Sequence, residues 1–221
     1  SSQNTSLNMH IIHRGIVNKK FKENLLSSFK KSFSLGFGIE TDIHVTKDRE
    51  FVCFHDFTLN RIFKKKMSIK NLNYSYLKKL SINQNKRIPL LRDVLEISKN
   101  KYPLLIELKP KLSKKNLQKL IKETSKYSKC IFISFYHKNI FNLQKIKSNI
   151  KVGLSFSNIS SIKEIIFASK NKKINCYVLD KIFLNNKKIQ NLKIEKYFYT
   201  IKKKSDFKKY NKKNNLIFEN L

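Results

Sequence analysis

Three carboxylates sit where a chain with few acids should not place them. Glu40 and Asp42 lie inside the apolar run 39–45, and Glu107 lies inside Leu-Leu-Ile-Glu-Leu at 104–108. Residues two apart on a strand share a face, so Glu40 and Asp42 are predicted to project together. Glu107 then arrives from a second strand. Three converging carboxylates form a hard-oxygen site suited to Mg2+ or Ca2+. Left bare, they would raise one another's pKa values and destabilise the fold. The competing reading pairs each acid with one of the many lysines.

Two histidines end apolar runs nearby, His13 the first run and His55 a later one. Imidazole titrates near neutral pH. Phosphodiester cleavage needs one proton taken from the nucleophile and one given to the leaving alkoxide. Two imidazoles and a divalent cation meet that need. Arg14 adds a fork for a phosphate oxygen. Lys109, on the face of Glu107, adds a point charge. By strand alternation His44 shares the face of Glu40 and Asp42, which makes it a candidate for the mouth or its rim. Phe135 is a candidate pocket residue, with core packing as the alternative. His137 is expected on a loop.

The elements that must position these groups follow from hydrophobic periodicity. Strand-like runs fall at 10–13, 37–45, 51–54, 104–108, 130–135, 152–154, 175–179, 196–201 and 215–218. Helical spacing marks 23–34, 92–100 and 116–127, and a short helix is expected around 74–80. Strands separated by helices argue for a parallel sheet. Only residues 46–50 join the second and third runs, and a parallel crossover needs about a dozen. That pair is a hairpin. Removing its return strand leaves eight, the count of a closed (β/α)8 barrel. The expected architecture is a TIM barrel over 9–221, with a hairpin insertion after the second strand, a small cap segment and a loose stretch at 1–8.

Composition narrows the function classes. The chain has 221 residues, 40% of them hydrophobic, so it can bury a core. Its net charge is +33, yet only five of 48 basic residues are Arg. A dedicated nucleic-acid binder would carry more arginine and aromatic interleaving. Lys, Asn and Ile are all overused, which points to a compositional habit, so no specific nucleic-acid partner is expected. The charge leaves room for weak association with an anionic membrane surface. Three cysteines without a CxxC pair suit a reducing compartment. No apolar run approaches a membrane span, and residues 1–8 lack the apolar stretch of a signal peptide. A cytoplasmic location is expected.

The motifs, in order and spacing, resemble the glycerophosphodiester phosphodiesterase family of the phospholipase-C-like TIM barrels. They are HRG at 13–15, EN at 23–24, GFGIETDIHVTKDREFVCFHD at 36–56 followed by Leu59 and Arg61, IPLLRDVLE at 88–96 and IELK at 106–109. ISF at 133–135 and YTI at 199–201 extend the likeness more weakly. The resemblance implies that Glu40, Asp42 and Glu107 hold one divalent cation, that His13 and His55 are the general acid and base, and that Arg14 and Lys109 contact the phosphate. It implies a small phosphodiester substrate and sn-glycerol 3-phosphate plus an alcohol as products. This chain departs from the family pattern at several points. Arg49 replaces the hairpin Gly, Leu25 follows EN where Thr is usual, and Tyr199 replaces a pocket Trp. The C-terminal TD gives way to Phe218, Glu219 and Asn220. These changes are expected to bear on substrate choice and to spare the five core residues. Two rival functions are a lysophospholipase-D-like enzyme acting on lysolipids and, from another class, a non-catalytic basic nucleic-acid-binding domain. The head group, the choice of Mg2+ or Ca2+ and the oligomeric state stay open.

Overall fold

The structure is a computed structural model and describes residues 9–80 and 87–219. The stretch 1–8, expected to be loose, and Asn220 lie outside the described residues. Among the described residues nine strands occur: β1 (Ile11–His13), β2 (Gly38–Val45), β3 (Phe51–Cys53), β4 (Leu104–Leu108), β5 (Cys130–Ser134), β6 (Val152–Phe156), β7 (Cys176–Asp180), β8 (Glu195–Ile201) and β9 (Asn215–Phe218). Their order is β1-β9-β8-β7-β6-β5-β4-β2-β3, and β1 also pairs with β2. The eight strands other than β3 therefore close into a parallel barrel with helices outside, a TIM barrel. β3 pairs antiparallel with β2 through Ile43↔Cys53 and Val45↔Phe51, the hairpin that the five-residue link requires.

Alternation sorts the side chains into two layers. Ile12, Ile39, Ile43, Leu104, Ile106 and Phe132 face outward into one large core with the helices. Ile11, Leu105, Ile133, Cys176, Val178, Tyr197 and Ile217 fill the barrel interior. Gly153 keeps that interior closed: a Cβ there would lie 2.6 Å from the Cys176 Sγ. A third cluster, built on Val52, Phe54, Leu59, Ile69, Leu77 and Ile88, forms a small cap body against the hairpin.

Two local departures have physical causes. The helix expected from residue 23 begins at Leu26. Asn24 takes a left-handed φ of 53°, its backbone N–H donates to the Arg14 carbonyl at 2.9 Å, and its side chain is buried among the acids. At the hairpin, Arg49 adopts φ 63°, a region that favours Gly. Its guanidinium compensates by donating to Asn116 Oδ1 at 3.0 Å and the Lys115 carbonyl at 3.1 Å. Among the described residues no helix is long and apolar enough to cross a membrane.

Candidate active site

The strand ends raise a cavity of about 460 Å³ at the C-terminal mouth of the barrel, the end where TIM barrels carry their chemistry. His13, Arg14, Glu40, His55, Glu107 and Lys109 line one side, and Phe135, Val178 and Tyr199 line the other. Asp42 lies just beneath, 1% exposed. Glu40, Asp42 and Glu107 each offer an oxygen within 4.8 Å of the others. Register explains this: Glu40 is level with Leu105, and Asp42 with Glu107, across the β2–β4 pairing.

Burial first, then the charges of Asp42 and Glu107, push the Glu40 carboxyl well above the usual carboxylate range. Burial and Asp42 lift Glu107 to about 7, although Lys109 Nζ sits 2.9 Å from its Oε1. Asp42 is held low despite its burial, because Arg14 and Lys109 face it. The Arg14 Nε lies 3.1 Å from Asp42 Oδ2 without hydrogen-bond alignment. Asn24 Nδ2 donates to that same Oδ2 at 3.2 Å and Thr41 Oγ1 donates to Asn24 Oδ1 at 2.8 Å. Asp42 Oδ1 is buried without a hydrogen-bond partner. The lysine-pairing reading thus applies to Glu107 and, at 3.7 Å, to Asp42 Oδ1. It leaves a crowded trio with an orphaned buried oxygen. That donor set, all hard oxygen, fits a divalent cation.

Each cavity histidine anchors its Nδ1 on a carboxylate. His13 Nδ1 lies 2.9 Å from Glu219 Oε2, and His55 Nδ1 lies 2.6 Å from Asp56 Oδ1. These contacts assign Nδ1–H as the donor in both rings and leave each Nε2 for the cavity. The His13 Nε2 is 3.9 Å from Glu40 Oε2. Burial pushes His55 below the ordinary imidazole range, against the pull of Asp42 and Asp56. Behind the rings the charges form a relay. Arg61 donates to Asp56 at 2.7 Å and to Glu23, and Glu23 accepts from Arg14 at 3.3 Å. Lys202 Nζ sits 2.8 Å from Glu219 Oε1. The His13 hydrogen bond, then Lys202, hold the Glu219 carboxyl down to about 2.

The departures were expected to spare the five core residues, and Glu219 overturns that. It stands where the family's TD pattern is lost, two residues beyond inward-facing Ile217, so alternation turns it into the mouth. His44 also departs from expectation. It does not line the cavity. By this point β2 has passed the rim and β3 folds back over it, so His44 is 3% exposed. Burial drops its pKa to about 4, and the neutral ring donates from Nε2 to the His55 carbonyl at 3.0 Å. His137 begins the helix His137–Ile146, with Nε2 2.9 Å from the Ser155 carbonyl. Tyr199 donates to the Phe156 carbonyl at 3.0 Å and meets Phe135 edge-on at 6.0 Å.

Fold and site together define a TIM-barrel protein with an acidic, cation-competent mouth flanked by two carboxylate-anchored imidazoles. Comparison with known proteins narrows this class. Residues 13–215 match the glycerophosphoryl diester phosphodiesterase family, and the chain belongs to that family. A glycerophosphodiester phosphodiesterase of Caldanaerobacter subterraneus is 33% identical over 161 residues, 66% of this chain and 65% of that protein. Human lysophospholipase D GDPD1 is 27% identical over 177 residues, 73% of this chain and 56% of that protein. The chain thus spans under two thirds of the length of these relatives. Among solved structures, an Oleispira antarctica phosphodiesterase in complex with the product sn-glycerol-3-phosphate superposes with a TM-score of 0.83 at 22% identity, covering 96% of this chain and 93% of that one. The Thermotoga maritima glycerophosphodiester phosphodiesterase gives 0.80 at 20% identity, covering 96% and 94%.

Proposed function

We propose that the protein hydrolyses glycerophosphodiesters to sn-glycerol 3-phosphate and an alcohol. The observation that carries this reading is the set of two anchored imidazoles and a carboxylate trio around one cavity. Glu40, Asp42 and Glu107 are the residues that would hold a divalent cation, Mg2+ or Ca2+. When bound, it supplies positive charge to the phosphoryl oxygens and neutralises the crowded carboxylates.

The chain's own residues do the rest. Arg14 and Lys109 orient the phosphate. One of His13 and His55 accepts the nucleophile's proton at Nε2, and the other donates a proton from Nε2 to the leaving oxygen. Glu219 and Asp56 fix each ring and stabilise it when it is charged. Phe135, Val178 and Tyr199 exclude water from the side away from the ions.

His13→Ala should abolish hydrolysis of glycerophosphocholine without unfolding the protein. Chelation with EDTA should do the same, reversed by added Mg2+ or Ca2+. Full activity in either case defeats the reading. The second reading, hydrolysis of lysolipids, draws on the likeness to human lysophospholipase D GDPD1 and on the apolar side of the cavity. Comparing turnover of deacylated diesters with that of lysolipids separates the two. The basic nucleic-acid-binding alternative gives no role to the anchored histidines.

A further inference from the structure

The mouth divides into two arcs. Going round the barrel, β9, β1, β2 and β4 are consecutive, and they carry Glu219, His13, Glu40 and Glu107. The next strands, β5 to β8, put Phe135, Val178 and Tyr199 on the cavity. Outside the cavity the same apolar arc continues into solvent. Phe135 follows β5 and is 44% exposed, Ile159 lies in the loop after β6 and is 90% exposed, and Ile182 lies in the turn after β7 and is 58% exposed. Three adjacent strands therefore each end in a bare apolar side chain beside the site entrance. Other exposed apolar residues lie elsewhere. Phe57 is on the ionic side, and Leu35 and Phe167 come at the ends of helices that lead away from the mouth.

The charge around these tips is basic. Lys181 precedes Ile182, the run Lys202–Lys204 follows β8, and Lys111 follows β4, all exposed. The acids of this arc are outnumbered: Asp180 accepts from the Ile182 backbone N–H at 2.9 Å, and Glu164 and Asp206 sit in the first turns of the helices Ile162–Ala168 and Lys204–Tyr210, next to Lys163 and just after Lys202–Lys204. All five arginines fall at or before residue 92, so the apolar arc has none. Nucleic acid and protein partners favour arginine at their contacts. Isolated apolar tips on loops, flanked by lysine, instead match the surface of an anionic bilayer: the tips enter the headgroup region and the lysines meet its negative potential.

We propose that the β5–β8 arc of the mouth docks on an anionic lipid surface and turns the cavity toward phosphodiesters borne in the membrane. This deepens the second reading above, hydrolysis of acylated diesters, and rests on it for the substrate; docking itself does not. The chain has no Trp, so Ile159→Trp, Ile182→Trp and, as a control, Phe167→Trp each give a single reporter. With vesicles of phosphatidylcholine plus phosphatidylglycerol, the first two should shift to the blue and be quenched by brominated acyl chains. The control should do neither, and pure phosphatidylcholine should give no response. The double variant I159S/I182S should lose on the order of tenfold in vesicle partitioning, with its rate on soluble glycerophosphocholine unchanged. Parent-like partitioning by the double variant, or equal responses from all three reporters, overturns the proposal. H13A should bind vesicles like the parent, so loss of catalysis and loss of docking are read separately.

Discussion

Consider Glu107→Gln in the metal-free protein. Folding lifts the Glu107 carboxyl from its ordinary 4.5 to about 7. Between these values the folded chain holds a proton that the unfolded chain has released. Its contribution to stability is therefore complete below pH 4.5 and is lost as pH rises through about 7. A shift of that size corresponds to about 3 kcal/mol. Glutamine cannot ionise and carries no such loss. His44 and His55 titrate in the same window with the opposite sign, so the absolute slope of the parent says little. The difference between variant and parent removes the histidine contribution and reports Glu107 together with the relief its loss gives Glu40, whose carboxyl it also raises. Urea unfolding in EDTA at about pH 5 and pH 8 should show the difference moving by about 3 kcal/mol in favour of glutamine. Adding Mg2+ or Ca2+ at the higher pH should stabilise the parent far more than the variant. A difference that stays constant with pH would refute the view that the trio is strained without its cation.

Further tests follow from neighbouring contacts. Glu219→Ala should lower kcat about tenfold or more with little change in KM, and Glu219→Gln should retain more activity but alter the pH profile. Because the Glu219 carboxyl is held near 2, its stabilising share is present above the ordinary carboxylate range. It should fade as pH falls toward 2, amounting to about 1 kcal/mol after discounting for solvent. Asn24→Ala strands Asp42 Oδ2 and Thr41 Oγ1, and denaturant curves should show a loss of about 1–3 kcal/mol together with weaker cation binding by calorimetry. Gly153→Ala forces a methyl onto Cys176 and should cost about 2–3 kcal/mol in the same curves.

The barrel was legible because its strands are short, apolar and evenly separated, and because a five-residue link permits only a hairpin. Glu40, Asp42 and Glu107 stood out as acids inside apolar runs, and parallel register sets Asp42 level with Glu107 and Glu40 one pleat before them. Side-chain anchoring was not legible in this way. Glu219 follows the last run, outside the apolar stretch that would mark a buried acid. Alternation from Ile217 would have pointed it inward. Asn24 was read as helix because its left-handed turn leaves no mark in an otherwise helical pattern. His44 obeyed alternation, but alternation cannot tell that a return strand covers the rim.

The His13–Glu219 contact joins the first strand of the barrel to the segment just beyond its last strand, 206 positions away along the chain. A growing polypeptide therefore carries Glu40, Asp42 and Glu107, both imidazoles, Arg14 and Lys109 long before the carboxylate that steadies His13 is made. The proposed hydrolytic site would be complete only late in synthesis, when β9 seats between β8 and β1 and closes the ring. A chain cut short before Asn215 would keep every ionic group named from the first half of the sequence yet leave His13 unanchored.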